Sequence, residues 1–205
     1  MNARPKIDML LSGVGGQGVV LASYVLSHVA IAEGYDVKQS EVHGMSQRGG
    51  SVTSHFRFGE KVWSPLVSPG TVDILMAFES LEALRYLHWL KPGGLVLYNS
   101  VRINPSPVAA GLATYPEDID GRIKAAWPNV HCVNANSLAA QAGTVKAANV
   151  VMLGAVSSYL PFARETWEAV IKKAVPPKSV EVNLKAFQLG VESASVRTEC
   201  TAVAS

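Results

Sequence analysis

The stretch IDMLLSGVGGQGVVLASYVLSHVAIAEG, residues 7–34, decides the fold. The apolar run at its beginning, together with Lys6 just before it, predicts a buried β-strand at residues 6–12. This strand leads directly into the glycines of GVGGQGVV, residues 13–20. Residues 18–33 suit a helix that is apolar nearly all round, as expected for a helix enclosed in an α/β core. Gly34 is a natural end for that helix. The stretch therefore predicts a strand, a glycine loop and a buried helix.

The rest of the chain alternates apolar strands with helices, which predicts a largely parallel sheet with helices on both faces. We expect further strands at 35–42, 51–58, 71–78, 95–100 and 130–135, and helices at 80–90, 117–127, 136–160, 164–174 and 179–192. The strand 51–58 alternates in polarity and is predicted to be half-exposed, with a turn at Gly59–Glu60 that pairs it with 61–64. The predicted fold is one α/β domain, three-layered and Rossmann-like, over residues 1–193, followed by a flexible tail at 194–205.

Composition excludes several classes of protein. The chain has 205 residues, of which 48% are hydrophobic and only 17% charged, so we expect part of its surface to be covered by another chain. A net charge of +2 without any Lys/Arg run argues against nucleic-acid binding. No apolar run is long enough for a membrane span, and no secretory signal is recognisable, which favours a cytoplasmic protein. Cys132 and Cys200 lie far apart, outside the spacing of a zinc or iron–sulfur site, so no metal is expected on this chain.

The glycine loop has the G-x-G-x-x-G form, between a strand and a helix, that dinucleotide sites require. Glycines allow a backbone to approach a pyrophosphate closely, and a helix N-terminus favours negative charge. The candidate cofactor-binding residues are Gly13, Gly15, Gly16, Gln17 and Gly18.

An acidic residue some twenty positions after such a loop can bind a ribose, and Glu41 is suitably placed. However, a dinucleotide fold continues its second strand into another crossover helix, whereas here a polar loop and an alternating strand follow. Three interpretations therefore stay open. The glycines permit close packing, contact a phosphate or cofactor together with a partner, or form a self-contained NAD site.

A second loop, SEVHGMSQRGGSV at residues 40–52, carries more polar groups than a turn requires. The candidate substrate-binding residues are Glu41, His43, Ser46, Arg48, Gly49 and Gly50. Arg48 suits forked pairing with a carboxylate or phosphate. The alternatives are a solvated loop bent at its two glycines and a structural, hydrogen-bonded His43. No Ser–His–acid set is recognisable, and no catalytic residue is assigned.

Four segments together resemble one family along residues 6–192. They are GVGGQGVV, SEVHGMSQRGGSV, SPLVSPGTVDILMAFESLEALRYLHWLKPGG and NVVMLGAV with the later VEVNLKAFQLG. They resemble the gamma-type chains of 2-oxoacid:ferredoxin oxidoreductases, most nearly the beta subunits of the indolepyruvate ferredoxin oxidoreductases. The resemblance also implies the fold of the gamma domain of pyruvate:ferredoxin oxidoreductase.

In that family the complex decarboxylates a 2-oxoacid on thiamine diphosphate, passes electrons through iron–sulfur clusters to ferredoxin, and releases an acyl-CoA. The resemblance implies that this chain is the small subunit of a heterodimer or heterotetramer and is inactive by itself. Thiamine diphosphate, Mg and [4Fe-4S] are then expected on a larger catalytic subunit, with CoA as co-substrate. The absence of a G-D-G…N-N motif agrees with this division, because that motif would bind the diphosphate and its metal.

By resemblance, both loops face the active-site cleft of the partner and help to enclose substrate or CoA. Arg48 would meet an anionic group, Gln17 and Ser46 would donate hydrogen bonds, and the glycines, Gly44 included, would admit a close backbone approach. Glu79 either lines the site or caps the following helix. Two other functions stay open: a stand-alone nucleotide-binding oxidoreductase, and a module that binds CoA or an oxoacid.

Overall fold

Six strands form a single sheet in the computed structural model, which describes residues 4–43 and 50–195. The strands are β1 Ile7–Val14, β2 Asp36–His43, β3 Ser51–Gly59, β4 Val72–Ala77, β5 Leu90–Asn99 and β6 Val130–Val133. Their order is β2-β3-β1-β4-β5-β6, and β3 runs antiparallel to both of its neighbours while the other pairs are parallel. The hairpin of β2 and β3 explains why no crossover helix follows the second strand.

Helices cover both faces of this sheet. They are α1 Val19–Ala32, α2 Ser80–Tyr86, α3 Ser106–Ala109, α4 Ile119–Ala126, α5 Ala135–Ala142, α6 Ala148–Ser157, α7 Arg164–Ala174 and α8 Val180–Ser195. The single helix predicted at 136–160 was wrong, because Gly143 adopts a φ of +132° that ends α5 and a short 3-10 turn precedes α6. None of the helices in the described ranges is both long and apolar enough to cross a bilayer.

Two hydrophobic cores lie on opposite faces of the sheet. Alternate residues of β1 divide between them: Met9 and Leu11 pack on the side of α1 and α5–α8, and Leu10 packs on the side of α2 and α4. This is the period of two that strand geometry imposes when both faces are covered. The arrangement confirms the predicted three-layer α/β fold.

Strand β3 is more buried than its alternating sequence suggested. Thr53 and His55 are polar residues of that alternation, yet they are only 7% and 5% exposed. They are buried because β3 lies inside the sheet between β2 and β1, and the ring of Trp89 stands edge-on over His55. Burial lowers the pKa of His55, and the charge of Arg57 lowers it further.

The hairpin predicted between β3 and residues 61–64 was also wrong, since these residues form no strand. The guanidinium of Arg57 donates instead to the carbonyls of Ser64 and Leu66, at 3.1 and 2.8 Å. This segment, residues 60–67, is therefore a loop that Arg57 helps to hold against the sheet, together with Asp36 and His55, which accept the backbone N–H groups of Val62 and Val67.

Helices α6 and α8 pack with their backbones nearly in contact. A Cβ added to Gly154 would lie 2.1 Å from the carbonyl oxygen of Phe187, and one added to Gly190 would lie 2.0 Å from that of Val151. Only glycine permits this approach. Helix packing therefore explains the segment VNLKAFQLG, within which Phe187 is fully enclosed.

The carboxyl ends of the parallel strands meet at one edge of the sheet, and the glycine loop and the described ends of the second loop, His43 and Gly50, lie there. Strand β1 has β3 on one side and β4 on the other, so the chain leaves β1 and β4 at a point where the strand order reverses. Ligands of open α/β sheets bind in the crevice at such a point.

Candidate functional site

The glycine loop is held to the sheet by the side chain of Gln17. The backbone N–H of Val14 donates to Gln17 Oε1 at 2.8 Å, and Gln17 Nε2 donates to the carbonyl of Phe78 at 2.7 Å. Gly13 leaves space for this amide, since a Cβ there would lie 3.1 Å from Gln17 Oε1 and 3.1 Å from the Cβ of Phe78. The amide thus fastens the end of β1 to the end of β4, and its role in the described structure is to position the loop.

Gly18 begins α1 in a left-handed conformation, with φ +77°. A Cβ at this position would collide with the side-chain amide of Asn149, which donates to the carbonyl of Gly18 at 3.3 Å. No side chain caps this end of α1, and its first turn contains no acidic residue. The helix end therefore offers backbone N–H groups and a partial positive charge to an anion. Gly16, with φ +95°, faces open space.

The two loops are joined by a backbone hydrogen bond. The N–H of Gly15 donates to the carbonyl of Gly50 at 3.0 Å. On the other side, β2 ends at His43, and Glu41 accepts a hydrogen bond from Gln39 Nε2 at 3.0 Å. The structure thus brings Gly15 of the glycine loop and Gly50, a described end of the second loop, together. The other candidates of the second loop lie outside the described residues: Gly44, Ser46, Arg48 and Gly49.

An open cavity of about 790 Å³ adjoins the joined loops. The glycine loop forms one wall, and the first turns of α1 form another. Val20 and Tyr24 on that helix are 45% and 46% exposed, and Val52 of β3 closes the lining. The cavity is thus mostly apolar, and the N-terminal end of α1 forms part of its lining.

Glu79 caps α2, the role that the sequence left in balance with a place in the site. It is 1% exposed and accepts hydrogen bonds from the N–H groups of Glu82 and Ile103, at 2.9 and 3.1 Å, and from the phenol of Tyr115 at 2.7 Å. Burial, reinforced by the bond to this carboxylate, raises the pKa of Tyr115. These partners account for Glu79 without a ligand.

Sequence reasoning missed a polar cluster beneath the second loop. Ser51, the first residue of β3, donates to Glu82 Oε2 at 2.5 Å and lies 3.2 Å from the phenol oxygen of Tyr86. Glu82 is 3% exposed, and burial raises its pKa. The available signal was an acidic residue at a buried position of α2, but its partner lies 31 residues away in the chain.

The described residues do not supply a metal or cluster site. Within residues 4–43 and 50–195, no three His, Cys, Asp or Glu side chains converge as ligands. Cys132 is buried in the core on the side of α2 and α4. The residues present therefore do not fit an iron–sulfur cluster, which requires several cysteine ligands.

The chain is similar to known proteins along most of its length. The profile of the family described as pyruvate ferredoxin/flavodoxin oxidoreductase matches residues 8–193. The chain is 43% identical over 199 residues to the indolepyruvate oxidoreductase subunit IorB of Thermococcus kodakarensis, an alignment that covers 91% of this chain and 95% of the relative.

Solved structures extend the comparison. The gamma subunit of a keto/oxoacid ferredoxin oxidoreductase from Geobacter sulfurreducens superposes with a TM-score of 0.69 at 28% identity, over 92% of this chain and 98% of that one. The 2-oxoglutarate:ferredoxin oxidoreductase of Magnetococcus marinus, solved with 2-oxoglutarate, coenzyme A and succinyl-CoA bound, superposes with a TM-score of 0.70. It is 19% identical over 97% of this chain and 33% of that one, a likeness of fold alone. The family resemblance and the fold class predicted from the sequence are both confirmed.

Proposed function

The chain belongs to the pyruvate ferredoxin/flavodoxin oxidoreductase family, and from this premise we propose that it completes the active site of a larger catalytic subunit. The reaction proposed for the complex converts indolepyruvate or a related aryl 2-oxoacid, CoA and oxidised ferredoxin into acyl-CoA, CO2 and reduced ferredoxin. Thiamine diphosphate, Mg and [4Fe-4S] belong to the partner in this proposal. The complex is a cytoplasmic heterodimer or heterotetramer, and this chain has no turnover of its own.

One observation carries the proposal: the hydrogen bond from Gly15 to Gly50 joins the two loops beside an open, mostly apolar cavity. An apolar wall, a bare helix end and exposed glycines make one side of a binding site. Among the described side chains that line this wall, none is a catalytic acid, base or nucleophile. A half-site of this kind is what a subunit contributes when the cofactors lie on its partner.

CoA is the ligand that we assign to this half-site. Its phosphates match the uncapped first turn of α1, where backbone N–H groups and the helix dipole favour negative charge. Its uncharged parts match the apolar wall formed by Val20 and Tyr24. Arg48, the arginine of the second loop, remains our candidate for a further anionic contact.

The rival function is a stand-alone nucleotide-binding oxidoreductase. The hairpin of β2 and β3 stands against it, because β3 occupies the place beside β1 where a dinucleotide fold continues with parallel strands. Glu41, the candidate ligand for a ribose, already accepts a hydrogen bond from Gln39.

The experiment is reconstitution with the large subunit encoded by the same host, under anaerobic conditions. We expect reduction of ferredoxin by indolepyruvate, dependent on CoA, when both chains are present, and none with this chain alone. Saturable NAD(P)H binding by this chain alone, weakened by substitution of Gly15, would instead support the rival. Turnover by this chain without a partner would contradict the proposal.

A further inference from the structure

Ser51 stands at the point where the second loop enters the sheet. It directly follows Gly50, whose carbonyl accepts the hydrogen bond from Gly15, and it pairs with Val14 in the ladder between β3 and β1. Any movement of Ser51 along the strand direction therefore moves the acceptor that joins the loops. Glycine supplies no side chain to restrain the joint itself, so the restraint must come from a neighbour.

That restraint comes from α2, on the second face of the sheet. The hydroxyl of Ser51 donates to Glu82 Oε2 at 2.5 Å, and the phenol oxygen of Tyr86 lies 3.2 Å from the same hydroxyl. A hydrogen bond to a carboxylate in a buried setting is stronger than one between neutral groups. Helix α2 is itself fixed at its beginning, because Glu79 caps it.

Among the residues that the structure describes, few charges lie around Glu82. Arg85 Nε lies 3.1 Å from Glu82 Oε1, but its side chain is half-exposed, and the carboxylate of Glu79 opposes ionisation of Glu82. From β3 only the hydroxyl of Ser51 reaches it. A buried carboxyl group without a full counter-charge is less favourable for folding than an apolar residue at the same position. We therefore infer that Glu82 has a role beyond stability.

We propose that Ser51, Glu82 and Tyr86 are positioning residues that hold the joint between Gly15 and Gly50 and thereby set the affinity of the complex for CoA. The second half of this statement rests on the proposed function; the first half does not. None of the three residues lines the cavity. They act through the backbone of the glycine loop, which lines the cavity.

The test uses hydrogen exchange of the Gly15 amide, measured by NMR on the full chain. In Ser51→Ala and Glu82→Gln we expect that amide to exchange about tenfold faster, as the loss of one hydrogen bond to a charged group implies. Tyr86→Phe, a milder change, is expected to accelerate exchange about two- to threefold. Ser54→Ala is the matched control, because Ser54 is buried on the same strand and its hydroxyl has no hydrogen-bond partner among the described residues.

In the reconstituted complex, Ser51→Ala and Glu82→Gln are expected to raise KM for CoA about tenfold with kcat almost unchanged. Ser51→Thr keeps the hydroxyl, so it is expected to retain the original KM for CoA and the original exchange rate of the Gly15 amide. Unchanged exchange at Gly15, or an equal acceleration in Ser54→Ala, would overturn the positioning role. Faster exchange with an unchanged KM would overturn the link to CoA. If the unaltered complex fails to turn over, the proposed function fails while the exchange data still decide the positioning role.

Discussion

The two edges of the sheet are fixed by different means. One edge is formed by the amino ends of the parallel strands and is called the amino edge; the opposite one, formed by their carboxyl ends, is the carboxyl edge. At the amino edge, Arg57 and Asp8 form a bidentate ion pair with both N–O distances at 2.9 Å, and Asp73 accepts the backbone N–H of Asp8 at 2.7 Å. At the carboxyl edge, the loops are joined by a backbone bond between Gly15 and Gly50. Charged side chains fasten the first edge, and glycine backbone with a few buried hydrogen bonds fastens the second.

The difference between the two edges indicates that the amino edge stabilises the fold and that the carboxyl edge is available to a ligand. Arg57 and Asp8 at the amino edge pair with one another, and Arg57 also donates to the 60–67 loop, so this pair offers little to a ligand. The carboxyl edge leaves the first turn of α1 uncapped and the cavity open. Function in α/β proteins is concentrated in loops that a rigid scaffold positions, and here the rigid part lies at the opposite edge.

The largest effect is expected from breaking the ion pair at the amino edge. Arg57→Met leaves the buried Asp8 with only its longer contact to Lys6 and removes two of the hydrogen bonds that hold the 60–67 loop, which should lower the free energy of unfolding by about 3–5 kcal/mol. Urea denaturation measures this. Lys6→Ala removes a more exposed and longer contact to the same carboxylate, at 3.5 Å, and should cost at most about 1 kcal/mol. Equal costs would show that the bidentate pair is not what holds this edge.

A negative charge introduced at each edge in turn should distinguish an effect on CoA binding from an effect on stability. Gly16 at the carboxyl edge and Gly70 at the amino edge both have positive φ, and a Cβ at either meets nothing within 4 Å. Asp at either position therefore meets no clash, and the positive φ should cost a similar amount at both, about 1–2 kcal/mol. Gly16→Asp should weaken CoA binding by the complex about tenfold through repulsion at the helix end, whereas Gly70→Asp should leave it unchanged.

Isothermal titration of the reconstituted complex with CoA measures the two variants side by side. Equal affinities in Gly16→Asp and Gly70→Asp would remove the glycine loop from the binding site. A loss in Gly70→Asp alone would move the site to the opposite edge.

The smallest effects are expected from pH, with opposite signs at the two edges. Burial raises the pKa of Glu82 above its usual 4.5, so the folded state binds that proton more tightly than the unfolded state, and the stability relative to Glu82→Gln should fall as pH rises above about 4.5. A hydrogen bond from Lys38, with one from the N–H of Val62, lowers the pKa of Asp36 at the amino edge to about 2. Its contribution relative to Asp36→Asn should be present above pH 3.8 and be lost as pH falls towards 2.

Urea denaturation of these variants between pH 2 and 7 checks both signs. If stability relative to Glu82→Gln rises with pH instead, Glu82 is stabilised as the anion, and the cause given for its shifted pKa is wrong.

Local pattern accounted for most of the fold. The apolar run before the glycines, the helix after them and the polar loop before β3 were all visible in the sequence, and the structure places Gly15 of the first loop against Gly50 of the second. The side-chain pairs that fix the two edges could not be predicted from the sequence, because the partners lie far apart along the chain. Gln17 reaches Phe78 across 61 positions, and Arg57 reaches Asp8 across 49. Hydrophobic periodicity reports which face of an element is buried, and it carries no information on such pairs.

Hydrogen exchange of this chain, measured alone and in complex with the large subunit, tests the central claim most directly. We expect new protection at residues 14–24, which form the glycine loop and the first turns of α1, and none at residues 57–67 of the amino edge. That result would place the partner over the half-site. Protection at 57–67 with none at 14–24 would contradict the account, because the cavity and its loops would then stay open to solvent in the assembled enzyme.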